Sequence, residues 1–150
     1  MSDKKQYKYI IIIPTCAKPH IEFKFLRLLK NTPESTLIIY SVNPIDHGEA
    51  EVVFEKMDAI QAYSERYYGR KHNVVRIWED GPTSFGDACN KGYEYALEHC
   101  EDPECIIFLN DDVSVTKNWQ KNQLRTLQTD VFSTNAMLVD EQPGRPVDEL

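Results

Sequence analysis

Two adjacent carboxylates, Asp111 and Asp112, close an apolar run in the segment Leu109-Asn110-Asp111-Asp112-Val113. Crowding them at the end of a buried strand is costly, because like charges repel and partial burial disfavours ionisation. A hard divalent cation removes that cost by taking carboxylate oxygens as ligands. Mg²⁺ or Mn²⁺ in such sites is held by one or two carboxylates plus substrate phosphates. The same pair also suits a solvated turn ahead of a helix capped by Thr116, where the helix dipole favours negative charge. A second segment is Phe85-Gly86-Asp87-Ala88-Cys89-Asn90-Lys91-Gly92. Its small residues at 86, 88 and 92 allow close approach to a sheet or a ligand, and Asn90 in that stripe needs a polar partner. Neither segment is a phosphate loop or a dinucleotide fingerprint. His20, His47, His72 and His99 are dispersed without metal-ligand spacing and read as surface or capping residues. Cys16, Cys89, Cys100 and Cys105 are equally scattered and read as reduced thiols. Cys16 has no local base to activate it. Glu79 and Asp80 read as a solvated turn.

The elements that must position these residues follow from hydrophobic periodicity. Continuous apolar runs predict strands over 7–14, 36–42, 73–78 and 104–109. Helical spacing relates Ile21, Phe25, Leu28 and Leu29, ending near Asn31. It also relates Val53, Met57, Ile60, Tyr63 and Tyr67, with Gly69 as a C-cap, and then Phe85, Cys89, Gly92 and Ala96. Thr116 opens a helix carrying Trp119, Leu124 and Leu127, and 131–139 reads as a last strand. Strand alternating with helix predicts an α/β sandwich with a mainly parallel central sheet, built as one domain over residues 1–150. Ligands of such sheets sit outside the carboxyl ends of the strands. Pro14-Thr15-Cys16, Ser41-Val42-Asn43 and Asn110-Asp111-Asp112 all lie there.

Composition bounds the function. The 150 residues carry a formal net charge of −7, which argues against a nucleic-acid binder that works through a broad basic face. No apolar run approaches the ~20 residues of a membrane span, and no secretory leader is visible, so the expected compartment is the cytoplasm. The chain is long enough to bury a core without disulfides.

Three segments, taken in order, resemble glycosyltransferase family 2: Ile-Ile-Ile-Pro-Thr at 11–15, Phe-Gly-x-Ala-x-Asn-x-Gly at 85–92, and Ile-Ile-Phe-Leu-Asn-Asp-Asp-Val at 106–113. The nearest likeness is to the rhamnosyltransferase-like branch. The resemblance covers about residues 7–139. It implies a GT-A fold, in a minimal or truncated version, and an inverting transfer of a sugar from a nucleotide-sugar donor to a saccharide or glycan acceptor. It implies that Pro14 and Thr15 line the nucleobase pocket, and that Gly86 and Asn90 lie on the helix bordering the donor. Asn110 then takes the first position of a DxD-like triplet, near the ribose. Asp112 takes the third, as ligand of the Mn²⁺ or Mg²⁺ that bridges the diphosphate, and Asp111 assists between them.

Three departures qualify that likeness. The family usually has an Asp at the end of the second strand, where this chain has Ser41 with Asn43 and Asp46 nearby. Cys89 stands where the family often has Arg, with Lys91 as a substitute. Only 38 residues follow Asp112, whereas the family's acceptor site and base lie well beyond the triplet. Asp140, closing the last predicted strand, is the best-placed candidate base. A donor-binding module without its own acceptor site or catalysis is therefore the alternative reading. A receiver domain would need an acidic pair after the first strand, and a nucleotidyltransferase a glycine-rich basic loop there; Pro14-Thr15-Cys16-Ala17-Lys18-Pro19 supplies neither.

Overall fold

Four short β-branched runs form one parallel sheet. The computed structural model describes residues 4–81 and 83–127. Its elements are β1 (Tyr9–Thr15), α1 (His20–Asn31), β2 (Thr36–Val42), α2 (His47–Tyr68), β3 (Asn73–Trp78), α3 (Phe85–His99), β4 (Cys105–Phe108) and α4 (Trp119–Leu127). The strand order is β3-β2-β1-β4, all parallel. The expected α/β architecture with a parallel sheet is present. β2 and β3 have the bounds the sequence predicts, whereas β1 starts two residues later and takes in Thr15, and β4 is one residue shorter at each end. The expected strand at 131–139 and the candidate base Asp140 lie outside the described residues.

Alternation along the strands builds two cores. Ile11, Ile13, Ile38, Tyr40 and Val42 face α1 and α2, where they meet Ile21, Phe25, Leu28, Leu29, Val53, Phe54 and Met57. Ile10, Ile12, Leu37 and Ile39 face α3, with Ala96 and Cys100. The buried stripe of α3 is Ala88, Gly92 and Ala96, rotated from the predicted one: Phe85 is 60% exposed and Cys89 only half-buried. Gly92 sets how closely this helix approaches. A Cβ there would stand 2.5 Å from Ile12 Cγ2 and 3.1 Å from Ser41 Oγ.

Caps fix where the two long helices begin. The Asp46 carboxylate accepts from the Glu49 N–H at 3.0 Å, and the Ser84 hydroxyl accepts from the Asp87 N–H at 3.1 Å. α2 ends at Gly69 with φ +66°, the left-handed cap that glycine adopts without steric cost.

The connections decide where a crevice opens. From β1 to β2 and from β2 to β3 the chain moves outward, with α1 and α2 on one face. From β3 it returns past β2 and β1 to β4, and α3 covers the other face. The direction therefore reverses between β1 and β4. The loops after these strands lie side by side, and the point where the strand order reverses is where open α/β sheets bind ligands.

Candidate functional site

The residues following β1 and β4 meet at that switch point. Thr15 ends β1 with its side chain on the α1 face and 6% exposed. Its hydroxyl donates to Asp111 Oδ2 at 2.7 Å and accepts from the Ala17 N–H at 3.0 Å. One side chain thus joins the β1–α1 loop to the β4 loop. Ala17 has φ +57°, a left-handed conformation that costs a non-glycine residue on the order of 1 kcal/mol, and the hydrogen bond to Thr15 holds it there. The other Asp111 oxygen, Oδ1, lies 3.2 Å from His20 Nε2, at the first residue of α1.

Asp111 is therefore engaged on both oxygens by α1-side groups, and its neighbour Asp112 is exposed. The following segment is fastened to α1 as well: Lys24 Nζ donates to Ser114 Oγ at 2.8 Å, and Asn31 Nδ2 to the Val115 carbonyl at 3.1 Å. Asn110, Asp111 and Asp112 thus project at the rim from a braced loop. Tyr40 lies buried on the same face. Burial pushes its phenol far above the ordinary tyrosine range, and the nearby Asp111 carboxylate adds to the shift while Arg76 opposes it.

The rim continues across β2 and β3. The Asn43 N–H donates to the Thr15 carbonyl at 2.9 Å and the Glu79 N–H to the Val42 carbonyl at 2.9 Å, so each strand end is tied to its neighbour. Asn43 Nδ2 donates to the Thr83 carbonyl at 3.1 Å. Pro14 is half-buried beside Ser41 in the neighbouring strand.

Four residues sit differently from what their types suggested. Ser41 is fully buried under α3, its hydroxyl beside Gly92 and without a hydrogen-bond partner among the described residues. Its pairing explains this: Ser41 lies beside Pro14, and Thr15 beside Val42, so Thr15 and Ser41 face opposite sides of the sheet. Asn90 is exposed rather than within the packed stripe of α3, and Gly86 is exposed too. Glu79 is not a solvated turn residue. It is 4% exposed, and its Oε2 lies 2.6 Å from Lys91 Nζ on α3. That hydrogen bond and its charge hold the Lys91 ammonium above the ordinary lysine range.

Sequence reasoning set Thr15 and Asp111 at the carboxyl ends of their strands but gave no contact between them, and it missed the pairing of His20 with Asp111. That pairing is made by the sheet topology, which sets β4 beside β1, and no local spacing signals it.

No group of three or more His, Cys, Asp or Glu side chains able to hold a metal occurs among the described residues. An all-protein cage is thus absent there. Two open cavities of about 790 and 530 Å³ lie at the opposite rim, around Lys4, Tyr7 and Cys100, and include none of the switch-point residues. No described helix is long and apolar enough to cross a membrane. Neither the protein-family models nor the curated proteins contain a match to this chain.

Proposed function

We propose that this chain binds a nucleotide-sugar in the crevice between β1 and β4 and belongs to a metal-dependent, inverting glycosyltransferase of GT-A type. The observation that carries this reading is the Thr15–Asp111 hydrogen bond. It builds a braced acidic rim at the switch point and leaves Asp112 exposed beside it. Asp112 would hold Mn²⁺ or Mg²⁺, which neutralises the charge developing on the departing diphosphate. Asp111 orients the loop rather than sharing the cation, because Thr15 and His20 already occupy its oxygens. Pro14, Thr15 and Asn43 border the donor along the strand ends, Asn110 lies toward the ribose, and Gly86 and Asn90 flank it from α3. The test is thermal stabilisation by a panel of nucleotide-sugars with and without Mn²⁺. Stabilisation that requires both supports the reading, and none with any donor rejects it.

A second reading is a donor-binding module that does not itself transfer sugar. Product formation with Mn²⁺, a bound donor and simple sugar acceptors separates the two. Transfer abolished by Asp140→Asn makes the chain an enzyme with that base.

A further inference from the structure

An aromatic pair stands at the far end of the same rim. Trp78 is the last residue of β3, and His47 is the first residue of α2, so both lie at the carboxyl ends of the strands. Their rings are stacked, with centroids 5.9 Å apart and planes 15° from parallel. Trp78 is fixed from the other side by the edge of Phe54, at 5.5 Å and 71°. Phe54 is a buried core residue braced in turn by Tyr40. Yet Trp78 remains 39% exposed, His47 is exposed, and Ile45 beside them is 75% exposed. Large apolar surface held rigid and open beside a ligand crevice is a binding feature rather than a packing one. Another exposed aromatic group, Tyr63, Tyr67 and Tyr68, lies at the opposite end of α2.

The spacing identifies the ligand part. Adjacent strands lie about 4.8 Å apart, so the ends of β4 and β3, separated by β1 and β2, are roughly 14 Å apart. That matches an extended nucleoside diphosphate. With phosphates at Asp112, its base reaches the end of β3.

Resting on the proposed donor site, we infer that the stacked His47–Trp78 pair is the nucleobase platform, with the base lying against the imidazole. Base–aromatic stacking tolerates any base, because each has a π-face. The platform therefore sets affinity for nucleoside over bare diphosphate, and edge contacts elsewhere set the choice of base.

The chain has two tryptophans, Trp78 and the half-buried Trp119, whose indole N–H donates to Thr32 Oγ1. The test titrates uridine, thymidine, guanosine, cytidine and adenosine diphosphates with Mn²⁺, alongside inorganic pyrophosphate with Mn²⁺. Tryptophan emission and calorimetry are followed in the parent chain and in Trp119→Phe, Trp78→Leu and His47→Ala. The expected result is emission change on nucleotide binding that persists in Trp119→Phe. His47→Ala and Trp78→Leu should each weaken the nucleotide about 5- to 100-fold and leave pyrophosphate unchanged. Should Trp78→Leu fail to fold, His47→Ala and the Trp119→Phe emission decide. Nucleotide affinity unaltered in His47→Ala, or emission unaltered in Trp119→Phe while nucleotide binds, overturns the platform and leaves the donor site standing. A parent chain that binds pyrophosphate as tightly as every nucleotide also overturns it. A parent chain that binds neither overturns the donor site itself.

Discussion

Thr15 and Asp111, 96 positions apart in sequence, share a 2.7 Å hydrogen bond that joins the ends of the two strands flanking the switch point. The Thr15 hydroxyl donates to the carboxylate and accepts from the Ala17 N–H, so both of its roles are used. Thr15→Val keeps the shape and removes both bonds. It leaves a buried N–H and a carboxylate oxygen without their partner, and should cost about 1–3 kcal/mol in urea unfolding. A change within error would mean that the two loops are held together by something else.

Asp111 and Asp112 should behave as opposites. Asp111→Asn disturbs the bonds to Thr15 and His20 and should lower the unfolding midpoint. Asp112→Asn alters an exposed side chain and should leave that midpoint unchanged, while abolishing Mn²⁺-dependent stabilisation by nucleoside diphosphates. Calorimetry showing undiminished metal-dependent affinity in Asp112→Asn would remove it as the ligand.

Gly92→Ala tests the close approach of α3. The added Cβ meets Ile12 Cγ2 at 2.5 Å, inside a core with no slack, and overpacking of this kind costs about 1–3 kcal/mol. Paired with Ile12→Ala, which removes the obstructing methyl, the two changes should cost less than the sum of the singles. Additive costs in the double-mutant cycle would show that the helix shifts away instead.

His72 gives stability a pH dependence. Burial holds its imidazole below the ordinary histidine range, against the opposing pull of the Thr32 carbonyl, which accepts from Nε2 at 2.7 Å in the neutral tautomer. The unfolded chain, titrating near 6.5, takes up the proton first as pH falls. The contribution is therefore complete above about pH 6.5 and is lost on acidification from there through the lower folded value. Urea midpoints measured from about pH 7 down to 5 should decline more steeply in the parent than in His72→Gln. Parallel declines would assign the effect to other groups.

Much of this architecture is legible in the residues. The runs at 36–42 and 73–78 are apolar and β-branched, and they become β2 and β3 with those bounds. Ile21, Phe25, Leu28 and Leu29 pack as their spacing predicts. The site is less legible, for a physical reason. A strand buried on both faces shows no alternation, so the sequence does not say to which side its last polar residue points. Thr15 turns toward α1 and meets Asp111, while Ser41, in the neighbouring strand, turns beneath Gly92. Only the register of β1 against β2 separates them. Partners brought together by topology, such as His20 with Asp111 or Lys91 with Glu79, leave no local periodicity to read. Phe85 shows the opposite error: a large apolar residue at helical spacing reads as core, but it falls off the stripe that Gly92 brings against the sheet.

The returning path of β4 also sets an order of events in folding. β1, β2 and β3 assemble through successive neighbouring units, each closing a short stretch of chain. β4 finds its place only after the chain has run back past two strands, a closure of much longer range. The Thr15–Asp111 contact depends on that last docking. Replacing either residue should therefore speed unfolding while leaving the refolding rate nearly unchanged, which stopped-flow chevrons would read directly. During synthesis this seam between β1 and β4 cannot close until Asp111 has emerged.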